Sequence, residues 1–272
     1  MRQPLRESGL VGTLFLPRHP ERAPAVLCLT GAGGGLWEEP AAALAAAGFP
    51  ALALATHNFP GLPPALRKLP IDMVERAVEW LKTQAKPKGD FVAVRGWSRG
   101  GELALILASL SSSVNAVVAY SPRCYVGLEH GKPNNFSDGE AAPAWTYRGA
   151  PVAATPLPQD MLADRAHQTF EDIYGIAVER IRGPILLISG EADTGLAGTT
   201  ATFGCNAVMR RLDLFDFKYR HEHLSYRDAG HNIAGPPPFR EPPENGGTME
   251  GNIAAVADSW PRSLAFLRAA AE

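Results

Sequence analysis

Residues 91–110, FVAVRGWSRGGELALILASL, decide the fold. Residues 91–94 (FVAV) are a short apolar run suited to a buried strand, residues 96–101 a glycine-rich turn, and residues 102–110 a helix rich in Ala and Leu. Gly96, Ser98 and Gly100 satisfy G-x-S-x-G in the strand–turn–helix setting that the pattern needs. In so tight a turn, Cβ atoms two residues either side of the serine collide. Glycine therefore stands there, and the Ser98 hydroxyl is left protruding. The unpaired N–H groups and positive dipole end of the helix lie beside it, where a tetrahedral intermediate places negative charge. Ser98 is the candidate nucleophile; the plain alternative is an ordinary glycine turn.

Outward from this stretch the unit recurs. Residues 10–16 and 25–29 read as two strands, 38–47 as a helix stopped by Gly48, and 50–55 as a strand. Residues 71–84 place Met73, Val74, Ala77, Val78 and Leu81 on one face of an amphipathic helix bracketed by Pro70 and Pro87. Residues 114–120 and 185–189 are further apolar strands. Such strands show no polar side to water, so their alternation with helices predicts a mostly parallel sheet covered on both faces, an α/β class. Residues 121–183 break the pattern with Gly, Pro, Tyr125, Trp145 and Tyr147, then a helix expected over 162–180; they read as a lid, a pocket wall or a surface excursion. A terminal helix over 254–271 carries Val256, Trp260, Leu264 and Leu267 on a docking face, and Pro261 is expected to kink or split it. With no linker dividing two cores, residues 1–272 are expected to form a single domain.

Composition narrows the function classes. The chain has 272 residues, 46% hydrophobic and 20% charged, which excludes disorder and coiled coil and supplies material for a core. A net charge of -2 offers no basic field for nucleic acid or an anionic membrane. No run of 18 apolar residues predicts a membrane span, and residues 1–17, with Arg2, Arg6 and Glu7, lack the apolar stretch of an export signal. Cys28, Cys124 and Cys205 are an odd number without C-x-x-C spacing, which argues against a disulfide framework or zinc site. A reducing, cytoplasmic setting without metal or cofactor is the expectation.

Serine needs a base, and in this kind of site an acid and then a histidine follow it in the chain. His231 sits in the glycine-rich loop DAGHNIAGPPP after a strand and is the candidate base. His221 and His223 flank Glu222 at a spacing that turns both to one side of a strand, a metal pair without an evident third ligand. His57 and His130 read as surface or pocket residues. Asp193, after strand 185–189 and before the histidine loop, is the candidate acid, with Glu191 as competitor and Asp213, Asp216 and Asp228 as solvated alternatives. For the oxyanion, the N–H of Arg99 and that of Ala32, with Gly33 next, are the expected donors; the stretch 30–35 (TGAGGG) lacks the spacing and the Lys-Ser/Thr ending of a phosphate cradle.

Four segments together resemble the catalytic domain of acyl-CoA thioester hydrolases and bile-acid-CoA:amino-acid N-acyltransferases, a branch of the α/β-hydrolases near dienelactone hydrolase. They are LTGAGGGLWE with GFPALALA, LPIDMVERAVEWLKTQ, GWSRGGELALILASL with VNAVVAYSP, and PILLISGEAD with DAGHNI and DSWPRSLAFL. The resemblance implies an α/β-hydrolase fold and maps the family's triad onto Ser98, Asp193 and His231. Eukaryotic members carry a β-sandwich domain ahead of the catalytic one, whereas about two dozen residues precede the strand at 25 here. Conjugating members use cysteine as nucleophile; serine at 98 resembles the hydrolytic members and implies water as acyl acceptor. The expected substrate is an acyl-CoA thioester, with oxygen esters the alternative because the same machinery cleaves both. CoA carries phosphates, so Arg99, Arg123, Lys132 and Arg148 are expected at the pocket mouth, with Trp97 also against substrate. Scattered solvated charges are the plain alternative for the four cations.

Overall fold

In the computed structural model of the protein the structure describes residues 1–18, 23–129, 142–162, 169–196, 200–238 and 242–272. Its centre is an eight-stranded sheet of β1 (Arg2–Glu7), β2 (Leu10–Phe15), β3 (Ala25–Leu29), β4 (Ala51–Ala55), β6 (Val92–Trp97), β7 (Ala116–Tyr120), β10 (Ile185–Gly190) and β11 (His221–Tyr226). The spatial order is β1-β2-β4-β3-β6-β7-β10-β11. β1 and β2 pair antiparallel, β2 pairs antiparallel with β4, and every pairing from β4 to β11 is parallel. All residues of β3, β4, β7 and β10 are buried, which is why these strands carry no polar face.

Two apolar layers sandwich the sheet. Helices α2 (Ile71–Ala85) and α3 (Arg99–Leu110) pack with Leu27, Val94 and Leu187 on one face. Helices α1 (Glu39–Ala46) and α6 (Met249–Ala270) pack with Val26, Val118 and Ile188 on the other. A second, three-stranded sheet of β5 (Leu69–Pro70), β8 (Trp145–Tyr147) and β9 (Ala150–Pro151) joins the 121–183 excursion to the start of α2. In the family of parallel α/β folds, loops at the carboxyl ends of the strands carry the site, and α2 begins at that end.

Two expectations are corrected. α6 runs as one helix from Met249 to Ala270 with Pro261 inside it, so Pro261 does not split it. Ala257, whose carbonyl loses its partner, and Pro261 both lie on the exposed side, so water donates to the orphan carbonyl while Val256, Trp260, Ser263 and Leu267 form the buried face. The helix expected over 162–180 is, in its described part, only α4 (Phe170–Tyr174), opened by a Thr169 capping box with Asp172 and ended at Gly175, followed by a short 3-10 turn. β1 and α5 (Ala201–Leu214) had no counterpart in the sequence reading. The three cysteines are free and buried, with the Cys124 and Cys205 sulfurs 4.0 Å apart. No helix among the described residues is long and apolar enough to cross a membrane.

Candidate active site

Ser98 stands between β6 and α3 with φ 55° and ψ -117°, a conformation that costs a non-glycine residue roughly 1–3 kcal/mol. The crowding that demands glycine around it is measurable. A Cβ on Gly96 sits 2.1 Å from the Gly100 carbonyl oxygen, one on Gly100 sits 2.3 Å from the Thr30 oxygen, and one on Gly101 sits 2.9 Å from Pro122 Cβ. The turn is held by the Ser98 N–H on the Tyr120 carbonyl (2.9 Å) and by the Ser98 carbonyl accepting from Glu102 (3.1 Å) and Arg123 (3.3 Å).

His231 is buried, and its Nδ1 lies 2.8 Å from Asp193 Oδ2. A carboxylate only accepts, so Nδ1 carries the proton and Nε2 is the basic nitrogen of the neutral ring. The second carboxylate oxygen of Asp193 accepts from the Gly195 N–H at 2.7 Å, which fixes the acid's orientation. Gly195 is also required by proximity: a Cβ there sits 2.5 Å from His231 Cγ. The Asp193 and His231 loops are tied by a third segment, since Thr194 and His231 both donate backbone N–H groups to the Asn245 carbonyl, at 3.2 and 3.1 Å. Gly246 and Gly247, at φ 88° and 75°, bridge to Asp193 and Ala229. No hydrogen bond joins Ser98 to His231 among the described residues, and such contacts are commonly long before substrate binds. Their proximity shows instead through Trp97, whose ring centroid is 5.6 Å from that of His231 and whose indole N–H donates to the His231 carbonyl at 3.1 Å.

The loop expected to supply an oxyanion donor lies over the serine: a Cβ on Gly31 sits 3.3 Å from Ser98 Cβ. Among the described residues the N–H groups of Ala32, Gly33 and Arg99 make no hydrogen bond. The loop is set by His57, which is buried rather than at a surface or pocket. Its Nε2 donates to the Ala32 carbonyl (2.9 Å), its Nδ1 meets the Thr56 hydroxyl (3.0 Å), and a Cβ on Gly34 collides with its ring. Asn58 adds a bond to the Gly33 carbonyl at 2.8 Å.

The other candidates fall out as follows. Glu191 is exposed and accepts from Ser225 on β11, a turn cap away from the histidine. Asp213 meets His221, and Asp216 and Asp228 are exposed. His221 and His223 have separate partners, Tyr219 and Asp213 for one, Ser189 and Asn206 for the other; among the described residues no three potential ligands gather for a metal. Arg99, expected at a mouth, is buried against Glu102 (3.0 Å) and donates to the Leu128 carbonyl (3.0 Å). Arg123 is half-buried over the Tyr125 ring, and Arg148 is exposed on the β8–β9 turn with its N–H on Asp72. Lys132 and His130 lie outside the described residues. Trp97 braces the histidine loop. Residues that sequence reasoning missed are His57, Asn58 and the Asn245–Gly247 bridge; of these only the Asn-Gly-Gly turn carried a signal.

The family of the BAAT / acyl-CoA thioester hydrolase C-terminal region matches residues 69–271. The chain is 30% identical over 278 residues to the peroxisomal succinyl-coenzyme A thioesterase of Mus musculus, covering 97% of this chain and 64% of that protein. It is 39% identical over 235 residues to the mitochondrial acyl-coenzyme A thioesterase 2 of Rattus norvegicus, covering 86% and 50%. Thus it spans about half to two thirds of the length of these relatives. Among solved structures, a putative dienelactone hydrolase from Klebsiella pneumoniae superposes with TM-score 0.61 at 16% identity, covering 98% of this chain and 97% of the other. A dienelactone hydrolase-like promiscuous phosphotriesterase from metagenomic libraries superposes with TM-score 0.59 at 17% identity, covering 99% and 98%. These likenesses show an α/β-hydrolase fold, and the family match extends over three quarters of the chain: the protein belongs to the BAAT / acyl-CoA thioester hydrolase C-terminal family.

Proposed function

We propose that this protein hydrolyses acyl-CoA thioesters through an acyl-enzyme on Ser98. The observation that carries the reading is the buried 2.8 Å Asp193–His231 pair beside a serine held at positive φ. His231 Nε2 takes the Ser98 proton as Oγ attacks the thioester carbon, and the N–H groups of Arg99 and Ala32, with Gly33 next, receive the oxyanion. Collapse of the tetrahedral adduct breaks the C–S bond; the CoA sulfur leaves as thiol with the proton from His231. Water, deprotonated by the same nitrogen, then attacks the ester carbonyl, and the carboxylic acid and the Ser98 hydroxyl are regenerated. Asp193 holds the tautomer and stabilises the imidazolium throughout.

The identity of the relatives supports thioesters over oxygen esters. Of the four cations expected to receive CoA phosphates, Arg123 and Arg148 remain accessible candidates, whereas Arg99 is engaged below the turn. The test is release of free CoA thiol from acyl-CoA substrates from acetyl to palmitoyl, beside p-nitrophenyl esters. Turnover of at least one thioester is expected, with Ser98→Ala slower by at least about a thousandfold and no longer labelled by a fluorophosphonate. Turnover of oxygen esters alone overturns the thioester assignment; undiminished activity in Ser98→Ala overturns the nucleophile.

A further inference from the structure

β6 alternates like any strand, so Arg95 and Trp97 project to the same face, the one covered by α1 and α6. Arg95 is 2% exposed and has no carboxylate partner among the described residues. Its guanidinium lies over Tyr120 (4.3 Å from the ring centroid) and within 6 Å of the Trp37 and Trp260 rings. Among the described residues Nε and Nη1 have no hydrogen-bond partner, and Nη2 donates to the carbonyl of Ala234. A cation desolvated in this way is poor material for stability, because an apolar chain of the same volume fills the site without the desolvation cost. Its neighbour on that face, Ala93, is apolar.

What the guanidinium touches gives it a purpose. On the amino side, the loop bearing His231 is fastened by the Gly230 N–H on Asn252 Oδ1 (2.7 Å) and the His231 N–H on Asn245 (3.1 Å). On the carboxyl side, Asn245 Nδ2 donates to Asn232 Oδ1 (3.2 Å), the Trp97 indole donates to the His231 carbonyl and the Arg95 guanidinium donates to the Ala234 carbonyl. The last two come from β6, the strand that leads into Ser98. We infer that Arg95, with Trp97 two places along β6, is a positioning residue that clamps loop 231–234 to the nucleophile's own strand and so fixes the distance from the His231 imidazole to Ser98.

This rests on the reading of Ser98 and His231 as nucleophile and base. The experiment compares Arg95→Met, Arg95→Lys and Trp97→Phe with wild type, Ser98→Ala and His231→Ala. The readouts are thermal melting, kcat and KM on the best acyl-CoA, and the rate of fluorophosphonate labelling. Arg95→Met is expected to melt at or above the wild-type temperature while kcat and the labelling rate fall roughly ten- to hundredfold, with KM within about twofold. Arg95→Lys, which keeps the charge and loses the planar fork, is expected to fall in the same direction. Trp97→Phe removes the other donor, so its loss is expected to be less than additive with that of Arg95→Met. If Arg95→Met does not fold, Trp97→Phe and Arg95→Lys decide. Folded variants with wild-type kcat and labelling overturn this inference alone while Ser98→Ala and His231→Ala are inactive; an active Ser98→Ala overturns the underlying reading instead.

Discussion

Two arginines flank Ser98, Arg95 three residues before it and Arg99 one after, and both are buried to within 3% exposure. They are neutralised in opposite ways. Arg99 faces Glu102, itself fully buried, at 3.0 Å, and Glu102 Oε1 also accepts from Gly127 N–H (2.9 Å) and the Trp145 indole (2.8 Å). Arg95 has three rings and one carbonyl. Desolvation costs several kcal/mol per ion, so the Arg99 site is cheap to occupy only as a pair and ruinous when halved. For Arg95, desolvated cation–π contacts of about 2 kcal/mol or more at best, with a charge-assisted hydrogen bond worth about 1.5–3, roughly offset one ion's cost. The ion pair pins the 121–183 excursion to α3; the caged cation pins the histidine loop to β6. A difference in electrostatics thus marks a difference in what each side of the Ser98 turn holds.

The largest expected effect breaks the paired side. Glu102→Ala strands the Arg99 charge and orphans two buried donors, and urea unfolding is expected to show a loss of about 3–5 kcal/mol. Glu102→Gln with Arg99→Met keeps an acceptor for Gly127 and Trp145 while removing both charges, and is expected to recover most of that loss. A double variant no better than Glu102→Ala means that packing, not charge, dominates this side.

On the histidine side the effect is expected in activity before stability. Gly195→Ala drives a methyl to 2.5 Å from His231 Cγ, at a residue with ordinary backbone angles. Displacing the imidazole by about 1 Å is expected to lower kcat roughly a hundredfold, while overpacking costs about 1–3 kcal/mol of stability. Activity within a few fold of wild type means that the loop relaxes elsewhere and is not clamped.

The same contrast explains what was legible in the chain. The strand, turn and helix around Ser98 and the strand before Asp193 announce themselves because buried parallel strands are apolar throughout and the elbow admits only glycine. β1 was not, because at the sheet edge only Leu5 is buried and Pro4 interrupts the run. α5 hides behind Gly204, which sits where it does because Cys124 Cβ lies 2.9 Å from any Cβ there. Asp193 and His231 were found by chain order, yet the Asn245 carbonyl that joins their loops involves pairings far apart in sequence with no periodicity to reveal them. Arg99 reads as a pocket-mouth cation because CoA phosphates call for cations near the serine, whereas Glu102 three residues on signals an i,i+3 pair.

The smallest effect concerns protons. Burial pushes the Glu102 carboxyl above its usual range, and the attraction of Arg99 and the bonds from Gly127 and Trp145 only partly oppose this. A carboxyl that holds its proton more tightly folded than unfolded makes the folded state bind more protons in the window between the two pKa values. Its contribution is therefore complete below the unfolded value, about 4.3, and is lost as pH rises through the folded one. Urea midpoints from pH 4.5 upward are expected to fall more steeply in wild type than in Glu102→Gln, whereas Arg95→Met, on the side without a carboxylate, keeps the wild-type slope. A wild-type curve that instead rises relative to Glu102→Gln shows that the Arg99 field outweighs burial and that the ionised pair itself stabilises this side of the turn.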